Sequence, residues 1–410
     1  MTLRIARITG PFPLLSIGYK ILASTILRRL KAAGAESRIW DVQFGFKSGY
    51  GTADALFIAR RLLDISLAEK DGSCILIVLD WAQAFDSISP ARLADALRRF
   101  GIPVHLIDLI RDIYHGRKFF VRDMKEDSSQ HEQYFGISQG CPLSPFLFII
   151  MMTILMSDAR AEVERTLGDV LTADLVHELI YADDTLLIDA RGQVVQAYMD
   201  AVVSVGAQYG LQINWKKVEL MAVRCNPDIS DNSGHQIGNK PGIVYLGALL
   251  DSSGSIQSEL VRRIGMATSD FKALATIWNH SNLTQYWKHR VFHACIASKL
   301  LYGLQTAWLT KSQRNKLDGF QARCLRKIIR VAPSYWSRIS NAHVLATLDA
   351  YPWSFQLLEQ QLLLFGKIYR RPDTDVTRKL VFNPSSDILR ISCSTRRRGR
   401  PGPNWCQEVH

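Results

Sequence analysis

The tetrapeptide Tyr181-Ala182-Asp183-Asp184 lies between the apolar runs Leu179-Ile180 and Leu186-Leu187-Ile188. That pattern predicts a β-hairpin with two adjacent carboxylates at its tip. A third acid stands about a hundred residues upstream, where the apolar run Cys74-Ile75-Leu76-Ile77-Val78-Leu79 ends in Asp80. Three carboxylates on neighbouring strand ends can hold two Mg²⁺ ions, which prefer hard oxygen ligands and share them with phosphates. Such ions, roughly 3.5–4 Å apart, activate an attacking hydroxyl and neutralise a leaving pyrophosphate. Taken singly, each piece is ordinary, because an Asp-Asp pair suits any polar turn and an Asp often follows a strand.

The surrounding segments raise the specificity. Asp80-Trp81-Ala82-Gln83-Ala84-Phe85-Asp86-Ser87-Ile88 resembles the first catalytic motif of reverse transcriptases from retroelements without long terminal repeats. Gln43-Phe44-Gly45-Phe46, followed by Thr52, is similar to that family's fingers motif, and Gly136-Ile137-Ser138-Gln139-Gly140-Cys141-Pro142-Leu143-Ser144-Pro145 to its template-and-substrate motif. Tyr181 to Asp184 matches the Y-A-D-D box, Gly210-Leu211-Gln212-Ile213-Asn214 with Lys217 matches G-L-x-I-N-x-x-K, and Tyr245-Leu246-Gly247 matches the primer-side strand. The six occur in family order.

The resemblance implies an α+β right-hand polymerase: fingers, an antiparallel-sheet palm backed by helices, and a helical thumb. It places fingers at 1–73 and the palm at 74–250, in parts 74–121 and 134–250 around a polar loop, 122–133. The thumb follows at 251–345, then a C-terminal helical segment and basic tail at 346–410. It implies RNA-directed DNA polymerase (nucleotidyltransferase) activity with an RNA template, a DNA primer, dNTPs and two Mg²⁺ ions, Mn²⁺ being an alternative. Asp80, Asp183 and Asp184 would be the metal ligands, and Lys217 a proton donor to pyrophosphate. Gln139, Gly140 and Tyr181 would meet substrate. Phe85, five positions after Asp80, would exclude a ribose 2′-hydroxyl where RNA-making polymerases carry an Asp. A core Phe on a strand-to-helix turn is the plainer alternative.

Composition agrees without deciding. Fifty Lys and Arg against 38 Asp and Glu give a formal charge of +12. A basic surface attracts phosphate backbones through counterion release, and would equally suit a membrane surface. The apolar run Leu147 to Met156, opened by Pro142 and Pro145, predicts a helix beneath the site that is too short to span a bilayer. Seven scattered cysteines without a C-x-x-C pair, and no visible signal peptide, point to an intracellular protein, nuclear or cytoplasmic. Oligomeric state is not legible.

In the thumb, Arg323, Arg326, Lys327 and Arg330 fall at i, i+3, i+4 and i+7, which predicts a basic helix face tracking a nucleic-acid backbone or simply a solvated face. Arg396, Arg397, Arg398 and Arg400 form a second basic cluster before Trp405. Gly10-Pro11-Phe12 stands where the family carries Arg-Pro-Ile, so the triphosphate-facing Arg is missing, and Ser138 stands where a basic residue often precedes the Gln. These departures lead us to expect a truncated copy from a LINE-like polyprotein. They also keep two rivals open: a catalytically impaired nucleic-acid-binding relic and an intron-maturase-like RNA-binding protein.

Overall fold

The computed structural model describes residues 15–120, 122–123, 126–171, 176–280, 282–390 and 405–409. The architecture is α+β, and the chain forms two compact units. The first combines the described residues up to Gly51 with Ile75–Leu220 and Pro227–Gly238; the second combines Thr52–Cys74, Met221–Asn226 and the described residues from Asn239 onward.

The first unit is organised on strands β1 (Cys74–Leu79), β2 (Glu178–Tyr181) and β3 (Asp184–Asp189), with β3 between β2 and β1. Every residue of β1 is buried, as its unbroken apolar run requires. The sheet is backed by the helix Gly192–Gln208, which packs on β3 and on the helix Ser144–Leu167. The latter also supports the helix Pro90–Arg99, which Ser89 caps and Pro90 opens.

Ser144–Leu167 is longer than the apolar run Leu147 to Met156 suggested. Its extension carries Asp158, Arg160, Glu162, Glu164 and Arg165, so the later turns are amphipathic where the earlier ones are almost wholly buried. Among the described residues no helix is long and apolar enough to cross a membrane. The polar stretch expected as a loop belongs to a hairpin arm in which Lys118–Phe119 pairs antiparallel with His131–Glu132.

The second unit is mostly helical. Trp278, Phe292, Phe320, Leu325 and Trp353 centre one core; Phe57, Leu364, Ile368, Phe382 and Trp405 centre another. The helix Thr52–Ala68 belongs here rather than with residues 15–51. Phe57 supplies part of the second core, and the fully buried Asp54 is held by Lys367 Nζ at 2.7 Å and Arg371 Nη2 at 2.8 Å. Fingers, palm and thumb are functional names, and compactness divides the chain differently.

The basic helix of this unit, Lys311–Ile328, starts at a Thr310/Gln313 capping box. Its four cations do not share one exposed face. Arg326 is buried, donating to the carbonyls of Ala332 and Ile339 and to Asn341 Oδ1, so it closes the chain that follows the helix. Arg330 lies beyond the helix end with φ at 59° and donates to the Asn279 carbonyl. Arg323 and Lys327 remain exposed on the helix. Helical spacing cannot reveal that an Arg will find uncapped carbonyls just past its own C-terminus. Arg396, Arg397, Arg398 and Arg400 lie outside the described residues.

Candidate active site

The hairpin predicted at Tyr181–Asp184 forms: β2 and β3 pair antiparallel with Tyr181 opposite Asp184, leaving Ala182 and Asp183 as the turn. Ala182 takes a left-handed φ of 59°, which disfavours any residue with a β-carbon. The fingers motif holds it there. Gln43 Oε1 accepts hydrogen bonds from Ala182 N and from Gly45 N, both at 3.0 Å. The same strand-like segment exchanges Phe44 N with the Ile180 carbonyl at 2.8 Å and Ile180 N with the Val42 carbonyl at 2.9 Å. A β-carbon on Gly45 would collide with the backbone of Ala182, so only glycine permits this approach. Gln43 is buried, and its clamp fixes where the two acids point.

Asp80 is brought in by sheet register. β1 pairs antiparallel with β3 so that Leu79 faces Thr185, which sets Asp80, the next residue, at the level of Asp184. Beyond Asp80 the chain is held by the 211–217 segment: Ala82 N donates to the Gln212 carbonyl and Asn214 N to the Asp80 carbonyl, each at 2.8 Å. That contact carries Lys217 to the site, where its ammonium lies 3.1 Å from Asp80 Oδ2 and 3.3 Å from Oδ1.

The electrostatics are those of crowded acids. Burial, reinforced by Asp183 and then Asp80, pushes Asp184 up to about 6, while Lys217 pulls the other way. Burial, with Asp80 adding to it, also raises Asp183. The opposite end of β3 behaves differently: burial of Asp189 is overcome by hydrogen bonds from His177 and Arg191, which hold it well below the usual carboxylate range. Asp189 is thus a neutralised structural acid, whereas Asp183 and Asp184 keep unrelieved repulsion, a donor set of hard oxygens suited to Mg²⁺. Among the described residues no three His, Cys, Asp or Glu side chains already converge to enclose an ion, and Asp80 is engaged by Lys217.

The template-and-substrate segment docks beside the first motif. Ile137 N donates to the Phe85 carbonyl and Gly136 N to the Ile88 carbonyl, both at 2.7 Å. Gln139 Nε2 donates to Asp86 Oδ2 at 3.0 Å, and Gly140 is exposed with a left-handed φ of 79°. Phe85 is half-buried: its ring stacks on Phe148 with centroids 4.7 Å apart and meets Phe46 edge-on at 6.3 Å. Tyr181 is half-buried at the end of β2.

One residue was invisible to sequence reasoning. Arg117 donates to Ser138 Oγ at 2.6 Å and to the Gly136 carbonyl at 2.7 Å, with its guanidinium 4.5 Å from the centre of the Tyr114 ring. Ser138 was conspicuous as the place where a basic side chain was missing, and a guanidinium reaches it from a separate element. A lone Arg after a helix carries no sequence signal for such a role.

Two outcomes follow. Gln43→Ala should leave two buried N–H groups without an acceptor and destabilise the chain by about 2–3 kcal/mol in urea unfolding. Asp184→Asn should act oppositely. Folded Asp184 keeps its proton up to about pH 6, whereas the unfolded chain releases it near 4, so stability conferred by protonation is lost as pH rises through that window. At pH 7 the variant should therefore be more stable, by about 1 kcal/mol once solvent screening is allowed for, with a flatter profile between pH 4 and 6 in thermal melts.

A family profile described as reverse transcriptase (RNA-dependent DNA polymerase) matches residues 11–250. Similar proteins include the R2DM retrotransposon polyprotein of Drosophila melanogaster, 29% identical over 50% of this chain and 19% of its own length. The RNA-directed DNA polymerase from mobile element jockey of Drosophila funebris is 28% identical over 75% of this chain and 34% of its own. A solved telomerase from Candida tropicalis covers 88% of this chain and 59% of its own at 13% identity, with a TM-score of only 0.39. The chain spans 19% and 34% of the length of these two retroelement proteins. With its profile match, its Y-A-D-D hairpin and Asp80 set against it, the chain belongs to the reverse transcriptase family.

Proposed function

We propose that this chain is the RNA-directed DNA polymerase portion of a non-long-terminal-repeat retroelement protein, extending a DNA primer on an RNA template with dNTPs. The observation that carries the reading is the register that brings Asp80 level with Asp184 at the clamped hairpin tip. Asp80, Asp183 and Asp184 are the residues to hold two divalent ions, Mg²⁺ by their hard oxygens. When bound, such ions activate a primer hydroxyl and neutralise a leaving pyrophosphate. The repulsion that, after burial, raises Asp183 and Asp184 suits them to hold cations, and Lys217, 3.1 Å from Asp80 Oδ2, would be the residue to donate a proton toward pyrophosphate. Gln139 and Gly140 present a flat, side-chain-poor surface to template and nucleotide, and Arg117 positions that surface through Ser138 and Gly136. The half-buried ring of Phe85, backed by Phe148, covers the 2′ position of an incoming nucleotide.

The absence of an Arg at Gly10-Pro11-Phe12 favours one alternative, an impaired relic that binds nucleic acid without closing on a triphosphate. Primer extension on an RNA template separates the two. Extension abolished by Asp183→Asn supports the polymerase; duplex binding with no extension by the wild-type chain supports the relic. In the active case Phe85→Val should raise ribonucleotide incorporation relative to deoxyribonucleotide at least several-fold, and equal discrimination would make Phe85 a core residue only.

The thumb assignment narrows to Arg323 and Lys327 as phosphate contacts, since Arg326 is committed elsewhere. Replacing both by Gln should reduce the slope of log K against log salt for duplex binding by up to about 0.9 per contact on B-form DNA. Replacing Arg326 should instead lower stability.

A further inference from the structure

Between Asp270 and Asp349, within the second unit, the chain carries twelve Lys or Arg and a single acid, Asp318, so this stretch holds nearly all of the formal excess of +12. Asp318 is itself occupied, accepting from Ser354 N at 2.8 Å and from Ser354 Oγ at 2.6 Å. Among the described residues of the stretch, every large apolar side chain left exposed is Tyr or Trp, while Leu, Ile, Val and Phe are buried or half-buried. Four of the exposed rings form two adjacent pairs, Tyr286–Trp287 and Tyr335–Trp336, with centroids 5.3 and 5.5 Å apart. Each of the four is more than half exposed, Trp336 to 74%. The ring planes stand at 75° and 47°, so neither pair spends its faces on mutual stacking.

Both pairs are held in place from behind. The helix Gln285–Phe292 is anchored by Lys288, whose ammonium donates to the Trp278 carbonyl at 2.9 Å, and by Phe292, whose ring stacks on Trp353. That anchoring leaves Tyr286, Trp287 and Arg290 exposed, with Arg290 one helical turn from both rings. The short helix Ser334–Ser337 is bracketed by Arg326, which donates to the Ala332 carbonyl before it and the Ile339 carbonyl after it, and the exposed Arg338 follows the Tyr335–Trp336 pair. Arg330 secures the Asn279 carbonyl, a few residues ahead of Gln285. Arg326 and Arg330 thereby gather the segments bearing both pairs about the end of Lys311–Ile328, the helix on which Arg323 and Lys327 are exposed.

We propose that this surface binds single-stranded RNA, with bases stacking on the Tyr286–Trp287 and Tyr335–Trp336 rings and phosphates meeting Arg290, Arg338, Arg323 and Lys327. Aromatic faces interleaved with cations hold a single strand without reading its sequence. A duplex covers the faces of its own bases, so it can use these cations but not the rings. An amphipathic membrane-binding face presents Leu and Phe beside its Trp, and here none is exposed. The choice of RNA over DNA rests on the proposed polymerase activity, in which RNA is the strand that arrives unpaired; the stacking itself does not.

The test titrates the full chain into a short unstructured RNA, the DNA of the same sequence and the matching RNA duplex, each followed by fluorescence anisotropy. Saturable binding of the single-stranded RNA, at least as tight as that of the DNA, is expected. Replacing Trp287 and Trp336 together by Ala should weaken it about tenfold or more, change duplex affinity less than about twofold, and be largely rescued by Phe at both positions. Arg290→Gln with Arg338→Gln should lower the slope of log K against log salt on the single strand by up to about 0.7 per contact. Asp183→Asn should alter none of this, so a chain that fails to extend a primer still tests the surface. Single-strand affinity indifferent to both Trp residues, tighter binding of the DNA, or dependence on Asp183 would overturn the proposal. So would absence of RNA binding with Trp-dependent binding to anionic vesicles or Trp-dependent self-association in its place.

Discussion

Antiparallel pairing of β1 with β3 makes Asp80 and Asp184 near neighbours, and the rest of the site manages the resulting repulsion. Burial first, and then the neighbouring charges of Asp183 and Asp80, raise the proton affinity of Asp184 well above that of an ordinary carboxylate. The arrangement persists because the strands beneath it are anchored by burial that the acids do not contribute. β1 is buried along its whole length, and the four central residues of β3 are buried as well. Lys217 offsets part of the charge without enclosing it, leaving oxygen atoms able to take a divalent ion.

Strain at the hairpin tip is handled by a segment far away in sequence. Ala182 holds a left-handed conformation only because Gln43 accepts its N–H and Gly45 leaves room for its backbone. This links the 43–52 segment to the Y-A-D-D hairpin through the Ala182 N–H on the Gln43 amide oxygen, which also accepts from Gly45 N within its own segment. It also explains why Gln and Gly, in that spacing, accompany the Y-A-D-D sequence in this chain. The loop that presents Gln139 is held in a similar way, by backbone bonds to the Phe85–Ile88 turn and by the Arg117 guanidinium.

The second unit treats its charges differently. Asp54, Glu259 and Arg326 are buried, and each is matched by two or more partners. Against that pattern Arg60 stands out, since its Nε and Nη2 are buried without a hydrogen-bond partner. Buried ion pairs in this unit are locks between segments, whereas the acids of the first unit are left deliberately underneutralised by contrast with Asp189 on the same strand.

Much of the site was legible in the sequence because its information is local. Alternation and apolar runs fix β1 and the hairpin, turn residues fix the tip, and the order of short motifs marks the family. Those signals were enough to choose Asp80, Asp183, Asp184 and Lys217 and to anticipate an α+β chain. The tertiary structure decided what depends on contacts between distant residues. The register that levels Asp80 with Asp184, the Gln43 clamp on Ala182, and the reach of Arg117 to Ser138 are each set by packing across many residues. So was the inward turn of Arg326, whose helical spacing alone suggested an exposed face, and the grouping of Thr52–Ala68 with the second unit. Periodicity reports which residues share a side of their own element, but which neighbour that side meets is fixed only when the chain closes on itself.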